Sequence, residues 1–179
     1  VEHTADLARF LLFSSEKTRE VYPYDFKLYV TYKLQGKELN VEWTVENCSQ
    51  DTMYFTIGGH PAFKYADSSE KKEDYKLKFP GKQEIISSFL DLTTGTTIPG
   101  KHYALELQDE MCVLKEELFE NDTLILDDNQ VDEVWLCHKD GTPYVGVKCE
   151  GFPNFGIWSV KDSGFVCLEP WMGRCDESG

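Results

Sequence analysis

The chain has 179 residues, a formal net charge of -14 and an isoelectric point near 4.6. That length suits one domain with a real core, and the acidic balance repels phosphate backbones, which argues against nucleic acid as a partner. No apolar run approaches the roughly 20 residues that span a bilayer, so no membrane partner is expected.

Strand signals dominate in chain order. Residues 8–13 read as a short strand. Residues 24–34 alternate, with Phe26, Leu28, Val30, Tyr32 and Leu34 on one face. That period of two is the signature of a half-buried strand. Gln35-Gly36 reads as a turn, after which Leu39, Val41, Trp43 and Val45 alternate with polar residues. The pair predicts a long β-hairpin. Shorter strands are expected at 53–57, 75–79, 102–107, 123–126, 155–160 and 165–168. A second hairpin is expected around Asp140-Gly141, joining 134–138 to 144–149, because both turn residues tolerate positive φ. Only 109–119 carries a weak helical pattern. The polar stretches 67–74 and 81–100 read as loops bordering a cleft. Strands joined by turns at short intervals predict an all-β, antiparallel sandwich or barrel in a single domain, residues 1–179.

Several chemistries find no support. The six cysteines (Cys48, Cys112, Cys137, Cys149, Cys167 and Cys175) never form Cys-x-x-Cys. Their scatter suits reduced thiols in the cytoplasm better than a disulfide framework. The four histidines show no ligand spacing, so no metal is expected. No glycine-rich phosphate loop precedes a helix and no Gly-x-Ser-x-Gly elbow occurs, which leaves nucleotide cofactors and serine nucleophiles without a motif.

Two segments carry proton-transfer side chains at the ends of strand-like runs. One is Ile57-Gly58-Gly59-His60-Pro61-Ala62-Phe63; the other is Phe165-Val166-Cys167-Leu168-Glu169-Pro170-Trp171. A histidine, with an ordinary pKa of about 6.5, can donate a proton near neutral pH. A carboxylate beside aromatic surface becomes more basic, because its charged form is disfavoured there. Trp171 and Trp158 offer faces on which a sugar ring can stack. Asp122 could bind hydroxyls or simply open a strand. Taken singly, each residue also fits a structural role: His60 in a turn, Glu169 at a wet strand end, the tryptophans in a core.

Together the motifs resemble the aldose 1-epimerase (galactose mutarotase) family, closest to its LacX-like branch. The resemblance runs from Thr18-Arg19-Glu20-Val21-Tyr22-Pro23 through the His60 segment and Phe155-Gly156-Ile157-Trp158-Ser159 to Glu169-Pro170-Trp171-Met172-Gly173-Arg174. It implies the twisted antiparallel β-sandwich of that family, the galactose mutarotase-like supersandwich. Members of the family are longer, so the chain is expected to be the central and C-terminal portion of a larger domain, lacking N- and C-terminal parts. The resemblance further implies interconversion of the α and β anomers of an aldose, without cofactor. His60 would then be the general acid on the ring oxygen and Glu169 the general base on the anomeric hydroxyl. Asp122, Trp171 and Trp158 would bind a glucose- or galactose-like monosaccharide. Three alternatives stay open: a non-catalytic sugar-binding protein of the same fold, a hexose-6-phosphate 1-epimerase, and a glycoside hydrolase or lyase pairing Glu169 with Asp122.

Overall fold

A computed structural model of the chain describes residues 1–178. Strands predominate among them, and they group into two compact units, Val1–Phe55 and the residues from Thr56 onward.

The first unit is one antiparallel sheet of four strands in the order β1-β2-β3-β4. These are β1 (Glu2–His3), β2 (Leu7–Phe13), β3 (Phe26–Gln35) and β4 (Glu38–Asn47). The alternation read from the sequence is the reason they pair as they do. Val30 lies opposite both Phe10 and Trp43, and Leu28 opposite both Leu12 and Val45, so the apolar residues of three strands share one face. The hairpin loop is Gly36–Lys37, one residue beyond the expected turn, with Gly36 at φ 62°. A one-turn helix, α1 (Glu16–Arg19), interrupts the path from β2 to β3. It forms because Ser15 and Thr18 cap each other: the Thr18 N–H donates to Ser15 Oγ, and the Ser15 N–H donates to Thr18 Oγ1.

The second unit stacks two antiparallel sheets. One has the order β5-β14-β13-β10-β7-β8, the other β12-β11-β6-β9. In chain order the strands are β5 (Ala62–Lys64), β6 (Tyr75–Lys78), β7 (Ile86–Asp91), β8 (Thr96–Ala104), β9 (Met111–Val113), β10 (Leu124–Leu126), β11 (Glu133–His138), β12 (Pro143–Lys148), β13 (Asn154–Trp158) and β14 (Phe165–Trp171). Tyr75, Leu77, Val134 and Leu136 of the smaller sheet pack against Leu124, Leu126, Phe155, Ile157, Val166 and Leu168 of the larger one. Each such apolar side chain contributes about 1.5–3 kcal/mol on burial.

Three expectations change here. Residues 53–57 form no strand. Residues 81–100 are not one long loop, because they hold β7 and the start of β8. Ser87 and Ser88 gave that stretch a polar pattern, but Ser87 Oγ accepts from the Ile125 N–H and Ser88 Oγ donates to Asp127, so both serines sit in a strand with their hydrogen bonds met. Residues 109–119 are not α-helical either. They contain β9 and a 3₁₀ turn at Glu116–Phe119. The second hairpin forms at Asp140-Gly141 as expected, though only Gly141 takes positive φ.

A half-buried ion pair secures the turn between β13 and β14. Lys72, 2% exposed, donates to Glu116 Oε1 at 3.0 Å and to the Val160 carbonyl at 2.7 Å. The Asp162 N–H donates to the same Glu116 oxygen at 2.9 Å. Burial pushes the Glu116 carboxyl up, but Lys72 and Asp162 outweigh it and hold the group below the usual carboxylate range. Its contribution to stability is therefore complete above the unfolded carboxyl value of about 4.3 and fades as pH falls through the lower folded value. Glu116→Gln strands the Lys72 ammonium and is expected to cost about 2 kcal/mol at pH 7. Urea unfolding of both proteins across pH should show that difference shrinking below about pH 4.

Candidate functional site

The site is built on β14, whose alternation sends residues to two faces. Val166 and Leu168 enter the core of the second unit. Cys167, Glu169 and Trp171 take the opposite face. On β13, Trp158 lies opposite Cys167, Gly156 opposite Glu169 and Asn154 opposite Trp171. The row through Glu169 and Gly156 continues across the sheet to Ile125, Ser88 and His102.

His60 reaches this face through an irregular pairing. Ala62 pairs with Cys167 in register, and Gly58 bridges Trp171. Between these points the Leu168 N–H donates to the Pro61 carbonyl at 3.2 Å and the Gly59 N–H to the Pro170 carbonyl at 3.0 Å. Pro61 has no N–H to give, so the regular ladder lapses here and the backbone bends. The bend leaves His60 beside Glu169, with Nδ1 3.3 Å from Oε1.

The two partners differ sharply in exposure. The His60 side chain is 62% exposed and that of Glu169 only 3%. Burial pushes the Glu169 carboxyl above its ordinary value. The nearby His60 and the polar edge of the Trp171 side chain pull it back, and the Asp122 charge pushes it up again. The net direction is upward, the condition of a carboxylate that accepts protons readily. Burial is also the main reason the Cys167 thiol is pushed up to about 11, with the Glu169 charge adding to it.

Trp171 folds back across Gly156. A β-carbon at Gly156 would lie 2.2 Å from the indole Cη2 and Cζ2, and one at Gly58 would lie 2.8 Å from Cδ1. Two glycines thus leave the volume that the indole fills. Trp158 meets His60 edge-to-face, with ring centroids 5.9 Å apart, and also packs near Phe165. Asp122 lies at the corner before β10, exposed, with φ 65°. A left-handed aspartate stores local strain, a condition found often at ligand-binding corners. The corner is fastened from both sides. With its amide turned to match donor to acceptor, Asn121 donates to the Leu90 carbonyl and accepts from the Leu90 N–H, and the Thr123 hydroxyl donates to Asp122 Oδ1.

Beside Trp171 opens a cavity of about 310 Å³, lined by Leu90, Thr123, Ile125, Trp171, Gly173 and Arg174 among others. Arg174 has little to spare for a ligand. Its Nε pairs with Asp127 Oδ1 at 2.9 Å, Nη1 donates to Thr97 Oγ1 and the Cys175 carbonyl, and Nη2 donates to Glu177. A larger open cavity of about 720 Å³, lined by Glu70, Asp74, His138 and Asp140 among others, shares no residue with the His60–Glu169 face.

All five residues singled out from the sequence therefore lie in the second unit. His60, Glu169, Trp158 and Trp171 lie on one face of β13 and β14, with Trp158 and Trp171 rooted at opposite ends of that strand pair, and the Asp122 charge acts on Glu169. Sequence reasoning missed Cys167 and Gly156. The signal for both was available: they lie one strand period from Glu169 and in the Phe155-Gly156-Ile157 run.

Comparison with known proteins gives a consistent answer. The profile of the aldose 1-epimerase family matches residues 1–175. Protein LacX (chromosomal) from Lactococcus lactis subsp. lactis is 35% identical over 162 residues, covering 85% of this chain and 52% of that protein. The chain thus spans about half the length of the curated relatives it matches. A galactose mutarotase related enzyme from Lactobacillus acidophilus superposes with a TM-score of 0.86 at 32% identity, covering 99% of this chain and 59% of that one. A galactose mutarotase-like protein from Lactobacillus casei ATCC 334, at 24% identity, superposes with a TM-score of 0.82 over 100% of this chain and 62% of that one. The galactose mutarotase-like, antiparallel all-β fold expected from the sequence is the fold observed.

The seat of Trp171 gives a direct test. Gly156→Ala forces the indole off its glycine and is expected to cost about 1–3 kcal/mol. A denaturation midpoint equal to that of the parent chain, with unchanged tryptophan emission, would contradict the close packing described.

Proposed function

The chain belongs to the aldose 1-epimerase family, and from that premise we propose that it interconverts the α and β anomers of a monosaccharide by general acid–base ring opening. The observation that carries this reading is the contact of an exposed His60 with a buried Glu169 whose carboxyl is held above its ordinary value.

The chemistry follows from where the two oxygens lie. The ring oxygen and the anomeric hydroxyl are bonded to the same carbon, so an acid and a base acting on them must be neighbours. Glu169 takes the hydroxyl proton as the C1–O bond of the ring breaks and a carbonyl forms at C1. His60 gives its proton to the departing ring oxygen. Rotation about C1–C2 turns the other carbonyl face inward. The ring hydroxyl then attacks C1 and returns its proton to His60, while Glu169 protonates the new anomeric oxygen. Both groups end as they began, and no other reactant is consumed. Such proton transfers contribute about 10²–10⁴-fold each.

Asp122 would accept from sugar hydroxyls, and Trp158 and Trp171 would wall the ring. A glucose- or galactose-like substrate without phosphate is favoured over a hexose 6-phosphate, because every nitrogen of Arg174 is already engaged within the chain. The six free cysteines suit a reducing compartment such as the cytosol.

Two-dimensional exchange NMR on the anomeric protons of glucose and galactose tests the reading. Wild type should give exchange cross-peaks, and Glu169→Gln should lower the rate by about 10²–10⁴-fold while leaving the fold intact. Saturable sugar binding without exchange would point instead to a binding protein. Asp122→Asn is expected to raise KM more than it lowers kcat, since it touches hydroxyls that do not react. An unchanged KM would remove Asp122 from the sugar site.

A further inference from the structure

Glu169 and His60 do not stand alone on their face. Cys167, one strand period before Glu169, turns its thiol the same way. One ligand atom from each of His60, Cys167 and Glu169 lies within 4.8 Å of the others. An imidazole, a thiol and a carboxylate form a donor set suited to zinc and poorly suited to magnesium or calcium, which prefer oxygen alone.

We infer that His60, Cys167 and Glu169 form a binding site for a thiophilic divalent cation, zinc in particular. The geometry supports it before any movement. Nitrogen and oxygen ligands at about 2.0–2.1 Å from a tetrahedral zinc lie about 3.4 Å apart. His60 Nδ1 and Glu169 Oε1 are already 3.3 Å apart. Sulfur, at about 2.3 Å from the ion, needs to sit about 3.6 Å from them, and since all three ligand atoms lie within 4.8 Å of one another, Cys167 has at most about 1.2 Å to close. Charge also balances. A thiolate and a carboxylate cancel the two positive charges, and the thiol proton leaves to solvent as the metal–sulfur bond forms. Two of the ligands are buried and held in register by β13, while the exposed His60 side chain opens the entry path. Three protein ligands leave a fourth position for water, the pattern of an open zinc site.

Occupancy has a consequence that rests on the function proposed above. A bound ion holds the imidazole nitrogen and the carboxylate oxygen nearest each other, and both are then withdrawn from proton transfer. Zinc is therefore an inhibitor of anomer exchange, and the sugar and the metal compete for one face.

Cobalt(II) titration of the full chain tests the site without reference to activity. The expected result is a thiolate-to-cobalt absorption band that saturates at one ion per chain, is displaced by zinc and does not respond to magnesium. Cys167→Ser should abolish the band, and His60→Ala should weaken cobalt binding at least ~10-fold. No band with wild type, or a band undiminished in Cys167→Ser and hence arising from another cysteine, would overturn the site. If Cys167→Ser fails to fold, the exposed His60 decides alone, and unchanged affinity in His60→Ala overturns the inference. Exchange NMR with added zinc separates the two claims. A cobalt band in a protein that never exchanges anomers leaves the metal site standing and removes the catalytic reading. Exchange unaffected by zinc, in a protein without the band, does the reverse.

Discussion

A carboxylate out of water is costly unless other groups satisfy it, and the arrangement around Glu169 is organised by that requirement. The residue sits at the end of an apolar strand with 3% of its surface exposed. Three features make this tolerable. The Trp171 side chain is held against it, His60 lies 3.3 Å away, and a raised carboxyl value lowers the charge that must be buried. Each feature constrains the chain in turn. Trp171 can reach its position only because Gly156 has no β-carbon. His60 can reach its position only because residues 57–61 hydrogen-bond irregularly to the end of β14. The apolar side of β14 then locks the assembly to the two-sheet core.

The same constraint links stability to chemistry. A carboxylate made basic by burial is a better proton acceptor, and an exposed histidine beside it can meet a solvent-borne substrate. Direct contact between the two is compatible with mutarotation, because the oxygens they would serve share one carbon. A site spread across a wide cleft would have suited a reaction that needs a water between its carboxylates, as inverting glycoside hydrolysis does. The cost is local: Asp122 is held at positive φ by its neighbours, and a thiol and a carboxyl lie buried side by side. That last juxtaposition, with His60 beside it, places a nitrogen, a sulfur and an oxygen ligand within 4.8 Å of one another on the face where a sugar is proposed to bind.

Legibility in the sequence varied with the kind of signal. The hairpin of β3 and β4 was plain, because ten alternating residues on each side left one pairing that gathers the apolar face. The strand β7 was hidden, because Ser87 and Ser88 imitate a loop until their partners Ile125 and Asp127 are known. His60 and Glu169 were legible as a pair of motifs and ambiguous one at a time. Cys167 went unnoticed, since a lone buried cysteine in an apolar run looks like packing.

The sequence by itself determined the all-β character, the longest hairpin and the residue types able to move protons. Those follow from period-two alternation and side-chain chemistry, which are local properties. Only the tertiary structure decided that His60 touches Glu169, that Gly156 is the seat of Trp171, and that Cys167 shares their face. Those facts depend on the register between residues 57–61, β13 and β14. Register is a relation between distant segments, set by hydrogen bonds that leave no mark on the local pattern of either one.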